Sequence, residues 1–150
     1  MTEQTAPTLA APSTKSKTLA TWLAVIGGGL GLHRFYLHGG RDLIGWLHPL
    51  PTLLGVIGLM RAFNLGQDDR LAWVLMPFGG LSIAAGMLAA IVNGLQPDER
   101  WNARHNPGIQ PCGPAGWPVV IGVIVALFVG AVMLTSVISF TLQRLFESQL

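Results

Sequence analysis

The sequence predicts an all-α fold: a polytopic membrane helix bundle of about four transmembrane helices behind a disordered N-terminal tail. Three observations predict it. About half of the residues are apolar (51%) and only 11% are charged, too few for an ordinary water-facing surface. The charges gather in short clusters and leave four uncharged intervals, residues 18–32, 43–60, 71–95 and 117–142. Between those intervals the chain holds too little material for a second, soluble domain.

Residues 1–17 are rich in Thr, Ala, Pro and Ser without an apolar period, which predicts the disordered tail. Lys15 and Lys17 precede an apolar stretch as in a secretory signal, but bulky, basic His33-Arg34-Phe35-Tyr36 stands where a cleavage site would be. The first helix is therefore expected to be retained. It covers a bilayer only if it continues through His33, Arg34, Phe35, Tyr36 and Leu37, with Arg34 snorkelling to the headgroups.

The second interval contains His48, Pro49 and Pro51, and two missing amide donors predict a bend or unwound turn there. Two short spanning helices are the simpler reading of residues 18–65. A re-entrant or tilted first pair is the alternative.

The third and fourth intervals exceed the roughly 20 residues a spanning helix needs. Asp68 and Asp69 suit the positive end of the third helix, Pro77 predicts a kink in it, and Asn93-Gly94 with Pro97 close it. Trp117-Pro118 opens the fourth. The connection 96–116 carries Pro97, Pro107, Pro111 and Pro114, so irregular structure at the membrane surface is expected. Residues 143–150 read as an amphipathic extension of the last helix. No fixed-period repeat is expected. The organisation is then a tail (1–17), a first helix pair (18–65) and a second helix pair (66–150) with the surface loop 96–116.

With four spans, Lys15, Lys17, Arg61, Arg70 and Arg144 share one side, and Arg34, Arg41, Arg100 and Arg104 the other. The positive-inside rule then places both termini in the cytoplasm.

The run Gly27-Gly28-Gly29-Leu30-Gly31-Leu32-His33-Arg34-Phe35-Tyr36-Leu37 resembles the signature of the TM-two domain family, small membrane modules of two helices joined by a short turn. The resemblance covers roughly residues 17–65. The whole chain, including Trp101-Asn102-Ala103-Arg104, is similar to proteobacterial members with an added carboxy-terminal helix pair. This implies a helical membrane module, in the bacterial inner membrane, and no particular reaction. The chain departs from the family in carrying His38 before Gly39, where Gly usually follows Phe-Tyr-Leu, and Arg61 near the place of a late Asp in the second helix.

The glycine run follows no strand and lacks the Lys-Ser/Thr of a phosphate loop, which argues against nucleotide binding. Close helix approach is the better use of such residues: Gly27 with Gly31, Gly86 with Ala90 and Gly94, and Gly122 with Ala126 and Gly130. The last two stripes are expected to face one another. His33, His38, His48 and His105 have no acidic partner in sequence and the single Cys112 builds no cluster, so neither a metal nor a cofactor is expected. A net charge of +2 does not suggest nucleic acid.

His33, Arg34, Phe35 and Tyr36 read as an interfacial anchor, or as a surface recognising a lipid headgroup or a partner helix. Ser82, Thr135, Ser136 and Ser139 have no base placed to activate them. The expectation is a small membrane interaction, scaffold or regulatory component without catalytic activity, its partners the lipid bilayer and other membrane proteins or itself. A channel or transporter subunit is the alternative, for which His48 beside a broken helix is the encouragement.

Overall fold

The chain is seen here in a computed structural model, which describes residues 14–109 and 113–149. Among these residues all regular structure is helical. Most of the expected disordered tail (residues 1–13), Pro111 and Cys112 lie outside the described residues.

Helix α1 (Lys17–Gly27) starts at Ser16, whose hydroxyl accepts the Leu19 amide at 3.4 Å. It runs for only 11 residues, about 16 Å, before a 3-10 turn at Gly28–Leu30. Gly31 then takes a left-handed conformation (φ 75°), and α2 (Leu32–His38) folds back along α1. The Tyr36 hydroxyl accepts the Ser16 amide at 2.7 Å, and the Lys15 ammonium reaches the Leu37 carbonyl. Entry and exit thus lie at the same end of the bundle.

The expected continuation of the first helix through Leu37 is therefore corrected to a helical hairpin. Its cause is packing at the glycines. A Cβ on Gly31 would lie 2.6 Å from the Gly45 carbonyl oxygen, and one on Gly86 would lie 2.7 Å from the Gly28 Cα.

After a corner at residues 39–42, α3 (Leu43–Leu47) and α4 (Pro49–Leu65) follow one another with a single interruption at His48. The backbone of His48 stays helical (φ −62°, ψ −40°) and its Nδ1 meets the Ile44 carbonyl at 2.9 Å. The bend expected at His48, Pro49 and Pro51 thus leaves no unwound turn, because Pro49 occupies the first position of α4, where a missing amide costs least. Helix α5 (Arg70–Leu95) returns, α6 (Asp98–His105) follows and packs on α1 and α2, and α7 (Trp117–Glu147) runs the length of the bundle again.

Three helical runs are long and apolar enough to cross a membrane: Leu43–Leu65, Arg70–Leu95 and Trp117–Glu147. The expected fourth, built on residues 18–32, is the hairpin. Helix α5 is central and packs on α1, α4 and α7. One core cluster is made of small residues and one methionine, with Ala24, Met87, Ala90 and Ala126 in contact.

Irregular structure was expected throughout 96–116, yet it contains α6. Asp98 and Glu99 in its first turn and Arg104 and His105 in its last complement the helix dipole. Trp101, 2% exposed, packs on Ala20 and Leu37, and its indole donates to the Lys15 carbonyl at 3.0 Å. Asn106 accepts the Lys15 amide at 2.7 Å and donates to the same carbonyl at 3.1 Å. Lys15 and Ser16, read from the sequence as the end of the tail, are held in place by these bonds, and Lys17 by donation to Asp98 at 2.9 Å.

The fold also exposes a repeat that the sequence reading missed. The pattern Gly-x-x-Gly-Leu-x-Arg-x-x-x-x-Gly-x-x-Asp-x-x-x-Trp occurs from Gly28 to Trp46 and again from Gly55 to Trp73. Each copy builds one corner. At the first, Gly39 (φ 82°) ends α2 and Asp42 precedes α3; at the second, Gly66 (φ 94°) ends α4 and Asp69 precedes α5. The apolar run Leu43–Leu65, about 33 Å long, separates the corners and puts them at opposite ends of the bundle. The two copies are inverted relative to one another.

Candidate functional site

The His33-Arg34-Phe35-Tyr36 motif lies on α2 and faces the chain's own first corner. His33 is 4% exposed, its ring is edge-on to that of His48 at 5.7 Å, and its Nδ1 has no partner. Arg34 grips Asp42 through two nitrogens, Nε to Oδ2 at 2.6 Å and Nη2 to Oδ1 at 3.3 Å. That hydrogen bonding holds the Asp42 carboxyl below the usual carboxylate range. Phe35 stacks edge to face on Trp46 at 5.2 Å, and Tyr36 binds Ser16. All four residues therefore take part in closing the hairpin and its corner. His38 follows them at the end of α2.

The second corner repeats the geometry. Arg61 Nε donates to Asp69 Oδ2 at 2.7 Å and Nη2 to Oδ1 at 3.1 Å. The Asp69 carboxyl is lowered in the same way by Arg61. The indoles match too, with Trp46 donating to the Gly40 carbonyl at 2.9 Å and Trp73 to that of Gln67 at 2.6 Å.

The small residues picked from the sequence do sit at close approaches, with one rearrangement. Gly86 meets Gly28 of the hairpin turn rather than α7, and Gly122 faces Thr21 and Trp22 of α1. Ala90 and Ala126 share the core, and a Cβ on Gly130 would lie 2.9 Å from Met87 Cβ. Gly94 stands against Val119 of α7 and Thr21 of α1, Gly31 against Gly45, and Gly27 against Leu32. The expected face-to-face seam of the third and fourth spans is thus shared with α1, which wedges between them at one end.

Two features escaped the sequence reading. Gly55 and Gly79 bring α4 and α5 into backbone contact, a Cβ on Gly79 falling 2.9 Å from Gly55 Cα. At the hairpin turn, the Gly29 carbonyl accepts from Thr52 and, at 3.3 Å, from Ser82, while the two hydroxyls lie 2.7 Å apart. The turn leaves helical carbonyls unpaired, and these hydroxyls serve them. The signal in the sequence was the repeat of glycines that aligns residues 28 and 31 with 55 and 58.

Chemically, the arrangement holds backbone together. Thr52 and Ser82 are committed to a carbonyl, and among the described residues no three His, Cys, Asp or Glu side chains converge as metal ligands would. No family model, no curated protein and no solved structure matches the chain.

Proposed function

We propose that this is a small integral membrane protein in which three helices cross the bilayer and the α1–α2 hairpin enters and leaves from one face. It acts as an interaction, scaffold or regulatory component, with other membrane proteins or its own copies as partners, and without a reaction of its own. The observation that carries this reading is the inverted distribution of side chains. Between the helices the contacts are made mostly by small residues, Ala24, Ala90 and Ala126 with Met87, while Val74, Leu88, Leu127 and Phe128 on the long helices are at least 60% exposed. Such a surface suits lipid and partner helices. The resemblance of residues 17–65 to the TM-two domain family supports the same reading and a bacterial inner membrane as its location.

Crosslinking in native membranes followed by detergent extraction and affinity capture tests it. Recovery of discrete adducts with a membrane protein or with a second copy supports the proposal, and a chain that stays monomeric and uncrosslinked at its native abundance contradicts it. Release of the chain from membranes by alkali would remove the integral reading itself.

A second reading, a channel or transporter subunit, is favoured by the turn at Gly28–Leu30, the hydroxyls of Thr52 and Ser82 on it, and the unpartnered Nδ1 of His33 nearby. It is disfavoured by the lack of any Asp or Glu within residues 18–32, 43–60 and 71–95. Ion or solute flux in proteoliposomes that is lost in Thr52→Val with Ser82→Ala would choose it over the first.

A further inference from the structure

At the end of the bundle opposite α6, the surface between α5 and α7 holds a groove of about 620 Å³. Arg70 and Arg144 line its mouth, Pro77, Leu81 and Val137 line its depth, and no carboxylate is in its wall. The guanidinium of Arg144 lies 4.4 Å from the Trp73 ring centre, one of its terminal nitrogens donates to Glu147, and its Nε is buried without an acceptor. Arg70 is exposed and makes no ion pair among the described residues. From Arg70 to Leu81 the helix descends about 16 Å, the depth of one leaflet's hydrocarbon.

We infer that this groove is a binding site for an anionic phospholipid, with the phosphate held between Arg70 and Arg144 and one acyl chain lying along Pro77, Leu81 and Val137. Two features argue for that occupant. Arg70 brings to the mouth a charge that no carboxylate pairs among the described residues, Arg144 keeps donors beyond the one given to Glu147, and a guanidinium fork suits phosphate oxygens. Below it the walls are apolar over one chain's depth, which a free anion leaves unfilled. The site rests on the reading of the chain as a membrane protein and is separate from the Arg34–Asp42 corner.

The test uses the full chain purified in a mild detergent, with phosphatidylglycerol or phosphatidylcholine added and bound lipid read by native mass spectrometry. Phosphatidylglycerol should be retained roughly tenfold better, the scale of one charge-assisted contact. Arg70→Gln, which breaks no internal pair, should lower that preference, and Arg70→Gln with Arg144→Gln should abolish it. Thr141→Trp, which fills the groove from an exposed wall position, should lower retention of both lipids with the arginines intact.

Equal retention of the two lipids by the unaltered chain would overturn the inference, as would a double variant that keeps the preference. Competition by inorganic phosphate that removes all preference would leave an anion site without an acyl chain and would also overturn it. A lipid-free dimer would put a second copy in the groove instead. A chain that stays soluble and monodisperse without detergent would overturn the underlying membrane reading, a distinct result.

Discussion

Arg34 holds Asp42 across a four-residue corner by two nitrogen–oxygen contacts of 2.6 and 3.3 Å, and Arg61 holds Asp69 across the opposite corner by contacts of 2.7 and 3.1 Å. In each case the aspartate directly precedes the next helix, where a carboxylate also suits the dipole. The arginine therefore fixes where one helix ends relative to where the next begins. A planar fork does this better than a flexible ammonium, because both oxygens are engaged in one geometry.

Arg34→Lys is accordingly expected to insert into membranes normally but to melt a few degrees lower in detergent, and Arg34→Ala lower still. Exchanging the pair, with Arg34→Asp and Asp42→Arg together, should recover part of the loss that either single change causes. Thermal unfolding of the purified variants checks this. If Lys and Ala melted with the unaltered chain, Arg34 would be a mere interfacial anchor.

The hairpin turn predicts a graded response at glycines. Gly86→Leu drives a side chain into the backbone of Gly28 and should cost on the order of 3 kcal/mol or prevent folding. Gly130→Leu brings its Cβ to 2.9 Å from Met87 Cβ, an atom held by the α5 backbone, and should cost about 2 kcal/mol. Gly40→Ala meets nothing within 4 Å and should be neutral. Melting temperatures in that order support the packing, and equal values for Gly86→Leu and Gly40→Ala contradict it.

Acid should loosen the α6 end. Lys17 donates to Asp98 at 2.9 Å and the Ala115 amide donates to its other oxygen at 3.1 Å. The hydrogen bond from Lys17, first among the causes, lowers the Asp98 pKa below its ordinary 3.8. A carboxyl with a depressed folded pKa contributes stability that is present above the ordinary value and lost as pH falls through the folded one. The melting temperature should therefore drop below about pH 4, and Asp98→Asn should melt lower at pH 7 with a smaller further drop in acid. Melting curves at pH 7 and pH 3.5 for both forms decide it, parallel drops in the two forms being the contrary result.

The three long helices were legible because hydrocarbon-length apolar runs leave little choice: residues 43–60, 71–95 and 117–142 fall within Leu43–Leu65, Arg70–Leu95 and Trp117–Glu147. The hairpin was not, because hydropathy counts residues and does not see direction. The reversal at Gly31 depends on a left-handed dihedral and on Gly28 reaching the backbone of Gly86, a contact between residues far apart in sequence. Helix α6 was hidden by its flanking prolines, although acids at its start and bases at its end gave the signal. Of the motif, the residue types were read and their partners missed, since Asp42 gains meaning only beside Asp69 in the repeat.

The three crossings proposed above put the two ends of the chain on opposite faces of the membrane. Lys15 lies with α6 at one end of the bundle, while Arg144, stacked on Trp73, lies at the other. A dual-compartment reporter fused in turn to the amino terminus and after residue 149 measures the consequence in living cells. Opposite compartments are the result expected for three spans and a re-entrant hairpin, whereas the same compartment for both fusions, as four spans require, would contradict the account.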